Sequence, residues 1–150
     1  MINAAYEAGE QGLWPPDTPR VFEDEVRHMV DNHELLFVRR DGEIAGCVRV
    51  HRLDHRTGEL GLLSAARLDS GVGGELVTIA EAWGREQGLA RMRLKLLIPK
   101  TGTHPFKQRL HSWYSRLGYR AIGTEDVAKA LPGIEKTAVP CDLVTYEKVL

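Results

Sequence analysis

The stretch Ser64-Ala65-Ala66-Arg67-Leu68-Asp69-Ser70-Gly71-Val72-Gly73-Gly74-Glu75-Leu76-Val77 decides how this chain is read. An apolar run ends in a turn that carries three glycines in four positions, and helical spacing follows at once in Leu76, Val77, Ile79, Ala80 and Trp83, with Gly88 as the stop. Glycine lets backbone N–H groups come close to a ligand, and a helix start adds unpaired donors and the positive end of the dipole. The combination suits phosphate. A dinucleotide fingerprint needs its third glycine at the sixth position, but counting from Gly71 that position is Leu76, and no acidic ribose anchor follows. A P-loop closes with Gly-Lys-Ser or Gly-Lys-Thr, whereas this turn closes with Gly74-Glu75 and holds no lysine. A glycine turn that merely ends a strand has the same spelling, so the surrounding sequence must decide.

With 150 residues, 43% of them hydrophobic, the chain is the size of one compact domain over residues 1–150 and can bury a core without staples. A formal charge of −1 and a pI near 6.6 give no electrostatic case for nucleic acid, so the expected partners are small molecules or peptides. Cys47 and Cys141 show no CxxC spacing, and no secretory signal opens the sequence; reduced thiols and a cytoplasmic location are expected. No apolar run approaches the ~20 residues that span a bilayer, so no membrane partner is expected.

Ile2 to Ala8 reads as a helix and Gly9 to Pro19 as a loop broken by Gly12, Pro15, Pro16 and Pro19. Thr18-Pro19 offers an N-cap and a first-turn proline for a second helix over Pro19 to Asp31. Glu34 to Arg39 and Glu43 to Leu53 form a hairpin through Asp41-Gly42, and a turn at Asp54 to Gly58 returns the chain into Glu59 to Ala65. After the glycine turn and its helix come a strand over Arg91 to Ile98, a helix over Pro105 to Leu117 ending at Gly118, and closing strands at Tyr119 to Gly123 and Leu143 to Val149. This order predicts an α+β fold with a mixed sheet, not a doubly wound one.

The strand, glycine turn and helix, followed by Trp113-Tyr114-Ser115-Arg116-Leu117-Gly118-Tyr119, resemble the GNAT family of acyl-CoA N-acyltransferases over most of the chain. The family's loop runs Gln or Arg, two residues, Gly, one residue, then Gly or Ala; Gly71 and Gly73 fit the glycine positions, and Ser70, Val72, Gly74 and Glu75 lie in the same turn. The resemblance implies a mainly antiparallel mixed central sheet flanked by helices, with coenzyme A pyrophosphate held by the loop's N–H groups. It also implies a pantetheine arm paired with main-chain groups near Leu62, Leu63 and Ser64. Acetyl-CoA would be the cosubstrate, a primary amine of a small molecule or peptide the acceptor, and no metal would be required. Tyr114 is then the acid that protonates the leaving thiolate, and Glu59 is the first choice of base. Packing beside Leu110 and Leu117 is the alternative for Tyr114, and a solvent-facing strand position the alternative for Glu59.

Three departures from the family pattern stand out. Leu68 replaces the Gln or Arg, which predicts weaker cofactor binding. Lys107 stands seven residues before Tyr114, where many members carry Asn, and is expected either to pair with a cofactor phosphate or to lie in solvent. The usual first strand is not expected in these residues, because Met1-Ile2-Asn3-Ala4-Ala5-Tyr6 already resembles the first helix; either the start is assigned late or the protein does without that edge, and an exposed neighbouring edge would then invite a homodimer. Leu68 and a first strand absent from these residues favour a noncatalytic acyl-CoA-binding or interaction domain, whereas Gly71, Gly73 and Tyr114 favour the enzyme. His51 with His55 and His104 with His111 lack ligand spacing, so no metal site is expected. Acceptor choice is expected at Gly9 to Pro19 and at about Thr124 to Pro140, which mixes Glu125, Asp126, Lys129, Glu135 and Lys136.

Overall fold

A computed structural model describes residues 1–131 and 136–150. Six strands join one sheet in the order β1-β2-β3-β4-β6-β5, accompanied by helices, in a mixed α+β fold. The described residues group into two compact units, one of Met1–Glu7, Pro19–Met92 and Val149–Leu150, the other of Ala8–Thr18 and Arg93–Lys148.

In the first unit, α1 (Ile2–Gly9) leads to α2 (Glu23–Asp31), which starts four residues later than Thr18-Pro19 predicts. The cause is Asn3: its Oδ1 accepts from the N–H groups of Arg20 and Val21 at 2.7 and 2.9 Å, and its Nδ2 donates to the Val21 carbonyl at 3.0 Å. That clasp ties residues 20–21 to α1. Thr18 spends its hydroxyl on the Pro15 carbonyl instead of capping, and at the true helix start the Glu25 carboxylate accepts from the Phe22 N–H. Ile2, Val21, Met29, Leu35, Cys47 and Leu62 form the core against which Tyr6 and Val26 pack.

β1 (Leu35–Arg40) and β2 (Glu43–Arg52) pair antiparallel through Asp41-Gly42, whose φ values of 52° and 79° both lie in the left-handed region that a two-residue hairpin turn demands. β3 (Thr57–Ala65) pairs antiparallel with β2 after a turn in which Asp54 Oδ1 accepts from the N–H groups of Arg56 and Thr57, holding that carboxyl below its usual range. α3 (Val72–Glu86) buries Val72, Leu76, Val77, Ala80 and Gly84 on one stripe, and Gly88 follows its end at φ 73°.

The second unit holds most of β4 (Arg91–Pro99), α4 (Pro105–Arg116), β5 (Arg120–Asp126), α5 (Val127–Ala130) and most of β6 (Cys141–Val149). Leu13, Leu97, Val127, Cys141 and Leu143 form its core. The stretch from Thr124, predicted as loop, begins inside β5 and continues as a short helix. Asp126 caps that helix by accepting from the Ala128 N–H, and it faces Asp142 across the β5–β6 ladder. Lys100 makes this pairing of like charges tolerable by reaching both carboxylates, at 3.1 and 2.6 Å. Glu135, named with that loop, lies outside the described residues.

Candidate active site

β3 ends at Ala65, and a tight turn follows in which Ser70 Oγ donates to the Arg67 carbonyl and Asp69 and Gly71 adopt φ of 56° and 81°. Gly71 is the N-cap residue of α3, and no side chain caps the helix. The first-turn N–H groups of α3 are those of Val72, Gly73 and Gly74. Packing does not require glycine at positions 71 and 74, since a Cβ built at Gly71 or Gly74 meets no atom within 4 Å. Only Gly71 has a backbone reason. Glycine inside a helix costs roughly 1 kcal/mol relative to alanine, so Gly74 carries that cost without a packing return. Directly beneath, Gly46 of β2 is closed in, since a Cβ there would lie 2.6 Å from Val72 Cγ1 and 2.8 Å from the Ser64 carbonyl. Arg40 from the end of β1 forms an ion pair with Glu75 in the first turn of α3. Leu68, at the turn, is 65% exposed.

The strand that enters this turn is irregular where the pantetheine contacts are expected. Cys47 pairs with Ser64 but Arg49 pairs with Gly61, so Leu62 and Leu63 together oppose Val48 and make a bulge. Leu62 takes φ 49°, an uncommon conformation for a residue with a branched side chain, while that side chain stays in the core. Ser64 is buried and donates its hydroxyl to the Leu62 carbonyl across the bulge at 3.0 Å. Burial alternates through Leu60, Leu62 and Ser64 without a break, so the sequence pattern carries no sign of the irregularity. The structure thus gathers Ser70, Gly71, Val72, Gly73 and Gly74 into one uncapped helix start at the end of the strand that holds Leu62, Leu63 and Ser64. Glu59 lies near the other end of β3, opposite His51 in the ladder, with its Oε1 3.7 Å from His51 Nε2. Its side chain is only 18% exposed, so it is not a solvent-facing strand residue.

In the second unit, Tyr114 and Lys107 are the buried residues of α4. Tyr114 lies against Trp113 and makes an edge contact with Tyr119, with ring centroids 4.8 and 5.8 Å apart. Lys107 corrects the expectation placed on it: it neither reaches into solvent nor presents its ammonium for a phosphate. Its Nζ donates to Glu10 Oε2 at 2.8 Å, in a pair whose side chains are each 5% exposed. Burying two charges is tolerable only with such pairing and with the remaining lone pairs satisfied, and Glu10 Oε1 accepts from Trp14 Nε1. His104 caps α4, accepting at Nδ1 from the Lys107 N–H, while Nε2 meets the Gln11 carbonyl at 3.0 Å; the Nε2–H tautomer satisfies both. His111 Nδ1 lies 2.8 Å from the hydroxyl of Tyr146, whose burial raises its pKa.

Cys47 and Cys141 are free and buried, and burial pushes the Cys47 thiol up to about 11. Among the described residues no group of three or more His, Cys, Asp and Glu gathers as a metal site, and no helix is long and apolar enough to cross a membrane.

The sequence model of the Acetyltransferase (GNAT) family matches residues 1–119. No curated protein matches the chain. Among solved structures, a GNAT family acetyltransferase from Elizabethkingia anophelis with acetyl-CoA bound is similar at a TM-score of 0.68 and 16% identity, over 92% of this chain and 95% of that one. A ribosomal-protein-alanine N-acetyltransferase from Brucella melitensis is similar at a TM-score of 0.69 and 18% identity, over 99% of this chain and 92% of that one. An aminoglycoside 6'-N-acetyltransferase from Enterococcus faecium is similar at 0.67 and 17% identity, over 99% of this chain and 88% of that one. At these identities the likeness is one of fold.

Proposed function

The chain belongs to the acetyltransferase (GNAT) family, a membership that supports acetyl-CoA-dependent acetyl transfer as its general activity, and we propose that it acetylates a primary amine by direct attack, with residues 1–150 acting as one acyltransferase domain. The observation that carries this reading is the start of α3, where no side chain caps the helix and the space over Gly71 and Gly74 is open. Backbone donors at a helix N-terminus suit a pyrophosphate.

Acetyl-CoA, the cosubstrate, supplies the acetyl thioester. The N–H groups of Gly71, Val72, Gly73 and Gly74, together with Ser70, hold its pyrophosphate. Main-chain groups of Leu62, Leu63 and Ser64 pair with the pantetheine arm, and the bulge at Leu62 turns them away from the regular ladder. Glu59 takes the proton that the acceptor ammonium gives up, the free amine forms the new C–N bond as the C–S bond breaks, Tyr114 gives its phenolic proton to the departing sulfur, and the second proton lost from the acylated nitrogen restores the phenol. No metal enters this scheme. Lys107 is not carried forward as a phosphate partner, because its ammonium is spent on Glu10. The acceptor is a small-molecule or peptide amine, the setting is the cytoplasm, and β1, at the edge of the sheet, offers the surface for a homodimer.

The test is release of CoA thiol from acetyl-CoA with spermidine, an aminoglycoside and a peptide bearing an N-terminal alanine. Turnover with one of them, reduced about a hundredfold in Tyr114→Phe with acetyl-CoA affinity unchanged, supports the scheme. Undiminished turnover in that variant removes Tyr114 from the mechanism. Binding of acetyl-CoA without turnover of any amine leaves the noncatalytic acyl-CoA-binding domain, the reading that exposed Leu68 favours.

A further inference from the structure

The buried Glu10–Lys107 pair has no part in the chemistry set out above, and its position gives it one. Lys107 sits in the first turn of α4 and Tyr114 seven residues on, so both lie on one stripe of the helix, about 10 Å apart along its axis. Lys107 is thereby the inner anchor of the same face that presents Tyr114. Its partner Glu10 is 97 residues away in sequence, just after α1. Two further contacts fasten α4 to the end of α1 and the segment after it: His104 bridges the Gln11 carbonyl and the Lys107 N–H, and Phe106 fills the space over Gly9, where a Cβ would lie 2.5 Å from its ring. Within that segment Trp14 Nε1 donates to Glu10 Oε1 and so holds the carboxylate in place. Apolar side chains would close this face more cheaply, since replacing a buried ion pair with well-packed hydrophobic residues is often neutral or stabilising. What the pair adds is direction, because an ammonium and a carboxylate fix one register of helix against loop where apolar groups allow several.

We propose that Glu10 and Lys107 are positioning residues: their buried ion pair fixes the register of α4 against the segment after α1 and so aims the Tyr114 phenol. The inference rests on the reading of Tyr114 as the acid. A phenol that must meet one sulfur is sensitive to its placement, and a misplacement of about 1 Å can cost two orders of magnitude in rate.

The variant that tests it is Glu10→Gln/Lys107→Met, which removes both charges and keeps a carbonyl for Trp14; should it fail to fold, Glu10→Asp keeps the charges and shortens the reach by one methylene. Spectra of protein carrying 13C-labelled tyrosine, assigned with Tyr114→Phe, read the phenol without any substrate. The Tyr114 signal is expected to move while that of Tyr6 stays; a Tyr114 signal unmoved in a folded variant overturns the proposal. In turnover with the amine used above, loss of the pair is expected to lower kcat about tenfold, leave KM for acetyl-CoA unchanged, and cost nothing further in the Tyr114→Phe background. Equal losses in the two backgrounds would make the pair merely structural and overturn the proposal. Failure of the acetyl-transfer reading shows separately, as a wild-type protein that releases no CoA thiol, and the spectra then decide the pair alone.

Discussion

The first turns of α3 and α4 are built on opposite plans. α3 opens from a left-handed glycine with no side-chain cap, and the space over Gly71 and Gly74 is empty. α4 opens from a capping histidine with proline in its first turn, and a lysine there is buried against a glutamate. Every helix start has four orphan N–H groups and a positive dipole end. One start has no side-chain cap; the other has His104 accepting from the Lys107 N–H and a lysine of the same turn buried against Glu10. The cation of α4 is committed inside the fold, whereas the space over the glycines of α3 is open.

The largest effect expected from this contrast comes from closing the open start. Gly73→Trp should remove measurable acetyl-CoA affinity while the protein still unfolds cooperatively; retained affinity would break the assignment of the loop. The support under that start comes next. Gly46→Ala forces a Cβ against the Ser64 carbonyl and Val72, and urea unfolding should show a loss of about 1–3 kcal/mol from overpacking. Opening the closed start is smaller: His104→Ala removes the cap of α4 and should cost about 1 kcal/mol with no effect on acetyl-CoA affinity. The finest distinction is Gly74→Ala. Without ligand it should stabilise the protein by about 0.5–1 kcal/mol, because alanine is the better helix former and its methyl group meets nothing, yet acetyl-CoA should bind more weakly. Gain of stability together with gain of affinity would contradict the idea that glycine is kept there for access.

The open start was legible in the sequence because its physics is local. Three glycines at a strand-to-helix boundary specify a backbone, and the proposed site is made of backbone. The Asp41-Gly42 hairpin, the Gly88 stop and the stripe on α3 were legible for the same reason. The α2 start was not, because Asn3 decides it from 18 residues away by holding Val21. Lys107 was misplaced for a stronger version of that reason. Nothing around it distinguishes a lysine aimed at phosphate from one aimed at Glu10, and only the fold brings Glu10 near. The bulge at Leu62 left no trace because the buried alternation of β3 runs straight through it.

The most direct test of the central claim is the thermal unfolding temperature of the wild-type protein against increasing acetyl-CoA, with desulfo-CoA and ATP as comparison ligands. A ligand that binds the native state raises that temperature with concentration. A rise with both CoA compounds and little with ATP is the predicted result; no rise with saturating acetyl-CoA would contradict the claim that the uncapped start of α3 is a coenzyme A site.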